Sequence, residues 1–458
     1  MIVRIRLRAR LSLLLLAVAS AAVVPARTFG QSCLAGTAAD EFTADAAGLT
    51  REWILQLPFV ASGYRLDQVV AGDGLVVAQT SDGTVHAVQS APWGEATPAA
   101  GAPRPGSLLW SQRVGTGGGP TVRAGIGPDL VVVPHGRGIA GLERSTGHPR
   151  WHEPFDQTAS AGATVIGNWA YVPGSAGTIN RFAVNPLRQP AESTAADDKK
   201  PAAKTGKKAA KKTKSKRQRQ ESLEPVIIHA GGINKVEIAA IPLAAGVLWC
   251  TSDGLLVTLQ RGEQDWRRLE FSLENPPAGS PVVRDRSVFA TTTSGDLARI
   301  ELHVNDKEFQ LAWHTVLPGP AFSGPFLSGD TLVVSLGDLG IAAYSAETGS
   351  ELWQTCLTGT ILAVGGGRVW LIDELGKLSA FDLADGTPRE RLCLGPFTMP
   401  VINTRSERLL LASPSGTLVS LAPRATGTPT PADASDAAAT APAAPARVPS
   451  DPAARLRP

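Results

Sequence analysis

Four cysteines, seven histidines, two glycine-rich runs and one dense run of lysines are the residues from which this chain of 458 could build chemistry. Cys33, Cys250, Cys356 and Cys393 contain no Cys-x-x-Cys pair, so the spacing of a structural metal site is absent. The histidines are His86, His135, His148, His152, His229, His303 and His314. His148 and His152 could offer two nitrogens to a metal, but Pro149 between them leaves no defined geometry. His152 and His314 each follow a Trp directly, which marks them as equivalent repeat positions with structural roles. Gly115-Thr116-Gly117-Gly118-Gly119-Pro120 and Gly365-Gly366-Gly367 lack the Gly-Lys-Ser/Thr that completes a phosphate cradle, and both read as turns. No Gly-x-Ser-x-Gly elbow precedes a helix. No catalytic, cofactor-binding or metal-ligating residue is therefore nominated.

The lysines are the exception. Lys and Arg supply 11 of the 21 residues from Lys199 to Arg219, with no acidic residue among them. Lys207, Lys208, Lys211, Lys212, Lys214, Lys216, Arg217 and Arg219 form a candidate polyanion-binding arm for anionic lipid or polysaccharide. No aromatic interleaves them, so base stacking has no platform and nucleic acid is disfavoured. A solvated loop without a ligand is the plainer reading of the same run. Setting aside these 11 cations and the four arginines within the first ten residues leaves 29 basic residues against 41 acidic, a body near −12. The overall charge of +3 thus describes two local segments, and the body is no nucleic-acid-binding domain.

The chain opens with Arg4, Arg6, Arg8 and Arg10, then an apolar run from Leu11 to Val24, then Val24-Pro25-Ala26. This is the layout of a cleaved secretory signal peptide ending near Ala26. Spanning a bilayer takes about 20 residues, more than this run supplies. Phe29-Gly30-Gln31-Ser32 is a poor lead-in to lipidation at Cys33. The mature protein is expected outside the cytoplasm, in the periplasm or outer envelope.

The positioning elements follow from a repeat. A β-rich apolar run, a glycine turn and a second alternating run recur, with turn glycines at Gly83, Gly138, Gly177, Gly254, Gly295, Gly340, Gly376 and Gly416. Their spacings are 55, 39, 77, 41, 45, 36 and 40. The two long gaps contain a Pro/Gly-rich loop near Pro92 to Gly106 and the lysine-rich segment. Units of about 40 residues have room for four strands, the size of a propeller blade, and each must bury its faces against its neighbours. The prediction is an all-β fold, an eight-bladed β-propeller with seven as the alternative count. The segments are a signal peptide (1–26), an N-terminal linker (27–50), the propeller (51–423), a disordered insertion within it (188–224) and an Ala/Pro-rich disordered tail (424–458).

Ten of the 25 aromatic residues are Trp. Trp110, Trp151, Trp266, Trp313 and Trp353 fall at unit ends, where a large ring can fill the wedge between blades. The clearest lead-in is Ala346-Glu347-Thr348-Gly349-Ser350-Glu351-Leu352-Trp353, echoed by Ser145-Thr146-Gly147-His148-Pro149-Arg150-Trp151. Unit eight runs into the tail without such a strand, whereas Arg51-Glu52-Trp53-Ile54-Leu55-Gln56-Leu57 stands ahead of unit one. The expectation is that this N-terminal strand closes the ring, with Trp53 as its blade Trp. Cys356 and Cys393 share a register in units six and seven. An oxidising compartment permits a bridge, but equivalent positions on neighbouring blades stand farther apart than the ~5.5 Å a disulfide prefers, so buried thiols are expected.

The Ala-x-(Asp/Glu)-x-x-x-Gly-x-x-x-Trp pattern resembles the tryptophan-docking repeat of PQQ-like β-propellers, over about residues 51–423. The exported eight-unit layout is similar in architecture to BamB-type assembly factors. That resemblance implies a non-enzymatic scaffold whose partners are other envelope proteins, acting as a monomer. It also raises the quinoprotein dehydrogenases, which use PQQ with Ca²⁺ beneath a vicinal Cys-Cys. No Cys-Cys occurs here and no carboxylate–amide set matches their metal site, so no cofactor is expected. A small-ligand enzyme or sensor using the central funnel, and a surface tether acting through the lysine arm, remain the alternatives.

Overall fold

The computed structural model describes residues 40–72, 74–91, 103–117, 121–184, 226–229, 235–244, 246–261, 266–302, 309–403 and 406–424. A short helix α1 (Glu41–Ala46) precedes β1 (Leu49–Gln56). Blade 1 is β2 (Leu66–Gly72), β3 (Leu75–Thr80), β4 (Thr84–Gln89) and β5 (Leu108–Arg113). Blade 2 is β6 (Gly125–Ile126), β7 (Leu130–His135), β8 (Gly138–Glu143) and β9 (Pro149–Pro154). Blade 3 is β10 (Thr164–Ile166), β11 (Trp169–Gly174), β12 (Thr178–Ala183) and β13 (Val226–His229). Blade 4 is β14 (Ile241–Leu243), β15 (Gly246–Cys250), β16 (Leu255–Arg261) and β17 (Trp266–Ser272). Blade 5 is β18 (Val282–Arg284), β19 (Ser287–Thr291), β20 (Asp296–Leu302) and β21 (Phe309–Val316). Blade 6 is β22 (Ser323–Ser328), β23 (Thr331–Ser335), β24 (Ile341–Ser345) and β25 (Glu351–Thr355). Blade 7 is β26 (Gly359–Gly365), β27 (Arg368–Asp373), β28 (Lys377–Asp382) and β29 (Pro388–Cys393). Blade 8 takes three strands from the C-terminal end, β30 (Met399–Val401), β31 (Leu409–Ala412) and β32 (Thr417–Pro423), and its outer strand from β1.

Each blade is an antiparallel meander, and the burial of its strands records its place between two neighbours. In β3 and β19 every residue is buried, because a middle strand is covered on both faces by adjacent blades. Outer strands face solvent on one side and alternate, as in β21, where Trp313 and Thr315 are half-buried and Ala312, His314 and Val316 are exposed. The continuous Val/Leu/Ala runs of the sequence are therefore the middle strands, and the mixed polar strands that end each unit are the outer ones.

The two chain ends meet in blade 8. Strand β1 pairs antiparallel with β32, from Leu49 opposite Pro423 to Gln56 opposite Thr417, so that β32 is paired on both sides and β1 takes the outer place that a fourth strand holds in the other blades. Glu52 fastens the pairing: it accepts from Arg408 Nε at 2.9 Å and from Ser420 Oγ at 2.7 Å. Ahead of this strand, α1 seats Ala44 and Ala47 in the apolar cluster between blades 7 and 8, against Trp370, Leu409 and Leu421. The expected linker thus contains a helix that belongs to the core. Asp40 caps it, accepting from the Thr43 N–H at 3.3 Å.

The expected signal peptide, Cys33, the tail beyond Arg424 and the lysine-rich insertion lie outside the described residues. The insertion's end points are nevertheless fixed: β12 ends at Ala183 and β13 resumes at Val226, so the basic run is the excursion between the third and outer strands of blade 3.

Candidate interaction surface

The blade tryptophans decide how the loops are held. Trp110 of blade 1 donates from Nε1 to Arg144 O of blade 2 at 2.8 Å, and Trp353 of blade 6 donates to Leu383 O of blade 7 at the same distance. Trp151 reaches Val184 O at 3.3 Å and Trp313 reaches Ala346 O at 3.2 Å. Each bond crosses to the next blade. Under three of these rings lies the motif glycine of that blade: a Cβ at Gly147 would stand 2.5 Å from Trp110, one at Gly386 2.5 Å from Trp353, and one at Gly349 2.7 Å from Trp313. Those glycines also have φ near +70°, so they supply both the turn and the bare surface the ring needs. Trp53 sits likewise on Gly106 of blade 1, where a Cβ would be 2.5 Å away.

Trp266 departs from this register. It is the first residue of β17, opposite Arg261, while the position facing the middle of β16 is held by Leu269 opposite Thr258. The Trp-rich lead-in therefore did not locate the docking position in blade 4. Blade 3 has Val226 opposite Arg181 there, and blade 7 has Arg391 opposite Ser379. In blade 7 the ring is replaced by a charge pair: Arg391 Nε donates to Asp373 Oδ2 at 2.9 Å, and the Asp373 side chain is only 2% exposed. At the junction with blade 8, Arg368 donates to Ala47 O at 2.7 Å with its guanidinium against Gly48, taking over the bond that Trp makes elsewhere.

A second repeated device shapes the hairpin turns between the second and third strands. The side-chain oxygen of Thr251, Thr292 and Ser413 each accepts the N–H four residues on at 3.0 Å, and Asp373 Oδ1 does so from Lys377 at 2.9 Å. Asp82 and Asp296 lie in these turns. Burial opposes ionisation of Asp296, but hydrogen bonds from Thr292, His314 and Asn275 outweigh it and hold the carboxyl below its ordinary range. His314 Nε2 stands 3.0 Å from Asp296 Oδ1, a local tie between the outer strand and the turn.

These turns share one face of the disc with the connections that lead from each outer strand to the next blade, and that face has two unlike halves. On blades 5 to 8 it is apolar. Phe322 is 65% exposed and rests on Gly337, and Leu339 leans on Gly319, where a Cβ would be 2.5 Å away. Leu375, 71% exposed, tips the equivalent turn of blade 7; Val316, Val60 and Tyr64 are exposed on the same side. On blades 1 and 2 the face is polar, with a 590 Å³ cleft lined by Arg113, Thr121, His135, Arg137 and His152. His135 and His152 meet there, with Nε2 atoms 3.1 Å apart. Sequence reasoning weighed His148 with His152 and missed this pair; the signal was the cross-strand register that carries β7 and β9 on either side of Gly138. The opposite face has a 630 Å³ cavity between blades 1 and 2, lined by Gln89, Asp129, Arg144, Trp151 and Val184, the residue after which the basic insertion departs.

Cys356 is exposed and Cys393 half-buried, one at the end of each outer strand, and no bridge joins them. The expectation of buried thiols fails there because this register is where the chain leaves the sheet for the turn face. Cys250 is buried, its thiol pushed up to about 12 by burial and then by the nearby Asp253 charge. Among the described residues no three His, Cys, Asp or Glu side chains stand together as metal ligands. No helix among them is long and apolar enough to cross a membrane.

Blade count and strand order define an eight-bladed β-propeller, and its fold is similar to that of BamB. Residues 252–427 match the family model described as outer membrane protein assembly factor BamB. The crystal structure of BamB from Moraxella catarrhalis is similar with a TM-score of 0.57 at 17% identity, over 83% of this chain and 99% of that one. The computationally designed Ika8 protein gives 0.53 at 13% identity, over 80% of this chain and 98% of its own. Both likenesses are of fold. No curated protein matches the sequence.

Proposed function

We propose that this chain is an exported, non-enzymatic propeller scaffold of the bacterial cell envelope, which docks a protein of the outer-membrane assembly machinery. The observation that carries it is the apolar half of the turn face: Phe322 and Leu375, each more than 60% exposed, stand on turns of adjacent blades. Isolated exposed apolar residues are ordinary, but several gathered on one half-face, one of them on a turn whose N–H groups at Leu375 and Lys377 are held by Asp373, mark a contact surface. The match to the assembly-factor family over 252–427 covers the blades that carry this half, and it supports the choice of partner. The Arg-rich start, short apolar run and small-residue site support export. No cofactor enters this reading, and the lysine arm would add attraction to an anionic surface without supplying specificity.

Photo-crosslinking tests it. A photoreactive residue at Phe322 or Leu375, in cells, should trap one discrete envelope protein, whereas the same residue at Gln310 on the outer rim should not. Equal, diffuse labelling from all three positions would contradict the reading.

A further inference from the structure

The His135–His152 pair lies outside that surface, on the polar half of the face. The two rings come from β7 and β9, which flank β8, with ring centroids 5.0 Å apart. What lets them meet is the residue between. His135 pairs with Gly138 across the β7–β8 ladder, and a Cβ on Gly138 would stand 2.9 Å from His152 Nε2 and 3.0 Å from His135 Cε1. Gly138 is in ordinary strand conformation, unlike Gly136 in the adjoining turn with φ of 50°. The backbone therefore has no need of glycine at 138, and the room it leaves is taken by the two imidazoles.

We propose that His135 and His152 form a two-histidine site for a divalent transition ion that prefers imidazole, Zn²⁺ or Cu²⁺. Two nitrogens bound to one tetrahedral ion at ~2.0–2.1 Å stand about 3.3 Å apart, and cis nitrogens of a square-planar ion somewhat less. The observed 3.1 Å falls between the two without rearrangement. Both rings line the 590 Å³ cleft, so the remaining coordination positions open toward solvent or an incoming side chain. Arg113 and Arg137 on the same cleft favour an anionic group, such as a carboxylate, as the completing ligand.

The test uses the mature full-length chain without a histidine tag, titrated with Zn²⁺ and with Cu²⁺ by calorimetry. One ion per chain is expected, with His135→Ala and His152→Ala each weakening it at least tenfold and His148→Ala, outside the cleft, leaving it within threefold. Electron paramagnetic resonance of the Cu²⁺ form should show two imidazole nitrogens. Gly138→Ala, read beside its own melting curve, should weaken binding while the chain stays folded. Binding unchanged in both histidine variants, no binding at 100 μM ion, or a Cu²⁺ signal with fewer than two imidazole nitrogens would each overturn the site.

Discussion

At the scale of single residues, the instructive case is the position where a blade Trp is missing. Arg391 occupies it in blade 7, and its partner Asp373 sits where blades 4, 5 and 8 have Thr251, Thr292 and Ser413. The two substitutions belong together: the aspartate caps the turn through Lys377 and, almost wholly buried, needs a cation that a Trp could not supply. Arg391→Ala should therefore cost about 3–5 kcal/mol by leaving an unpaired buried carboxylate, whereas adding Asp373→Thr to Arg391→Leu should recover most of that, in a denaturant-unfolding double-mutant cycle. The histidines give a second residue-scale expectation. His86 and His135 are both held below 6.5, chiefly by burial, so the folded protein binds fewer protons than the unfolded chain once pH falls under that value. Stability then rises with pH in that window and is lost as pH drops from about 6.5 toward 5. The His86→Asn, His135→Gln double variant should show a flatter decline in melting temperature over this range. Neither Arg391–Asp373 nor His135–His152 was legible in the sequence, because each depends on which side chains a strand register brings side by side, and register is not written in any one strand.

At the scale of elements, the hairpins were legible and the junctions only partly so. A glycine at each turn is a local demand of backbone geometry, and it marks the hairpins in the sequence at seven of the eight positions read; in blade 2 the turn glycine is Gly136, and Gly138 lies in β8. The clip between blades is a relation between a Trp and a glycine about 33 to 37 residues on, as from Trp110 to Gly147, so an eroded partner hides it. This is why Trp266, three residues out of register, was read as a clip. Its blade consequently lacks the Trp clip on the side toward blade 5, where Leu269, Phe271 and Phe309 fill the wedge instead, and blade 3 meets blade 4 without one as well. Amide exchange should therefore be fastest, among the blade junctions, on either side of blade 4, in β13 and β17, and slowest in β4, β8 and β24, whose blades are clipped. The closing strand was legible as an orphan, since Trp53 had no unit of its own. Removing residues 49–56 takes away the partner of β32 and the buried Leu49 and Trp53, so the melting temperature should fall by at least several degrees; an unchanged value would argue against closure by β1. Helix α1 was not legible: at six residues it offers no period to read, and it is held by Ala44 and Ala47 packing on blades 7 and 8.

At the scale of the whole molecule, the repeat makes the ring and the departures from it make the face. Eight similar units would give a featureless disc. Here the apolar turns of blades 6 and 7, the histidine cleft of blades 1 and 2, and the basic excursion from blade 3 break that symmetry in three separate places. The sequence announced only the last, because charge clusters along the chain while the other two assemble across it. The acidic balance of the body beside the basic arm means that the two can be separated by salt: attraction through the arm should weaken steeply with ionic strength, and docking through Phe322 and Leu375 should not. The measurement that tests the central claim most directly is crosslinked affinity capture of the mature chain from its own envelope at 0.3 M salt, beside a Phe322→Asp, Leu375→Asp variant and a deletion of 199–219. Retention of one discrete envelope protein by the native and deleted forms, and its loss from the Asp variant, is the predicted result. Capture that survives the Asp substitutions but disappears with the deletion would contradict the scaffold reading and move the function to the basic arm.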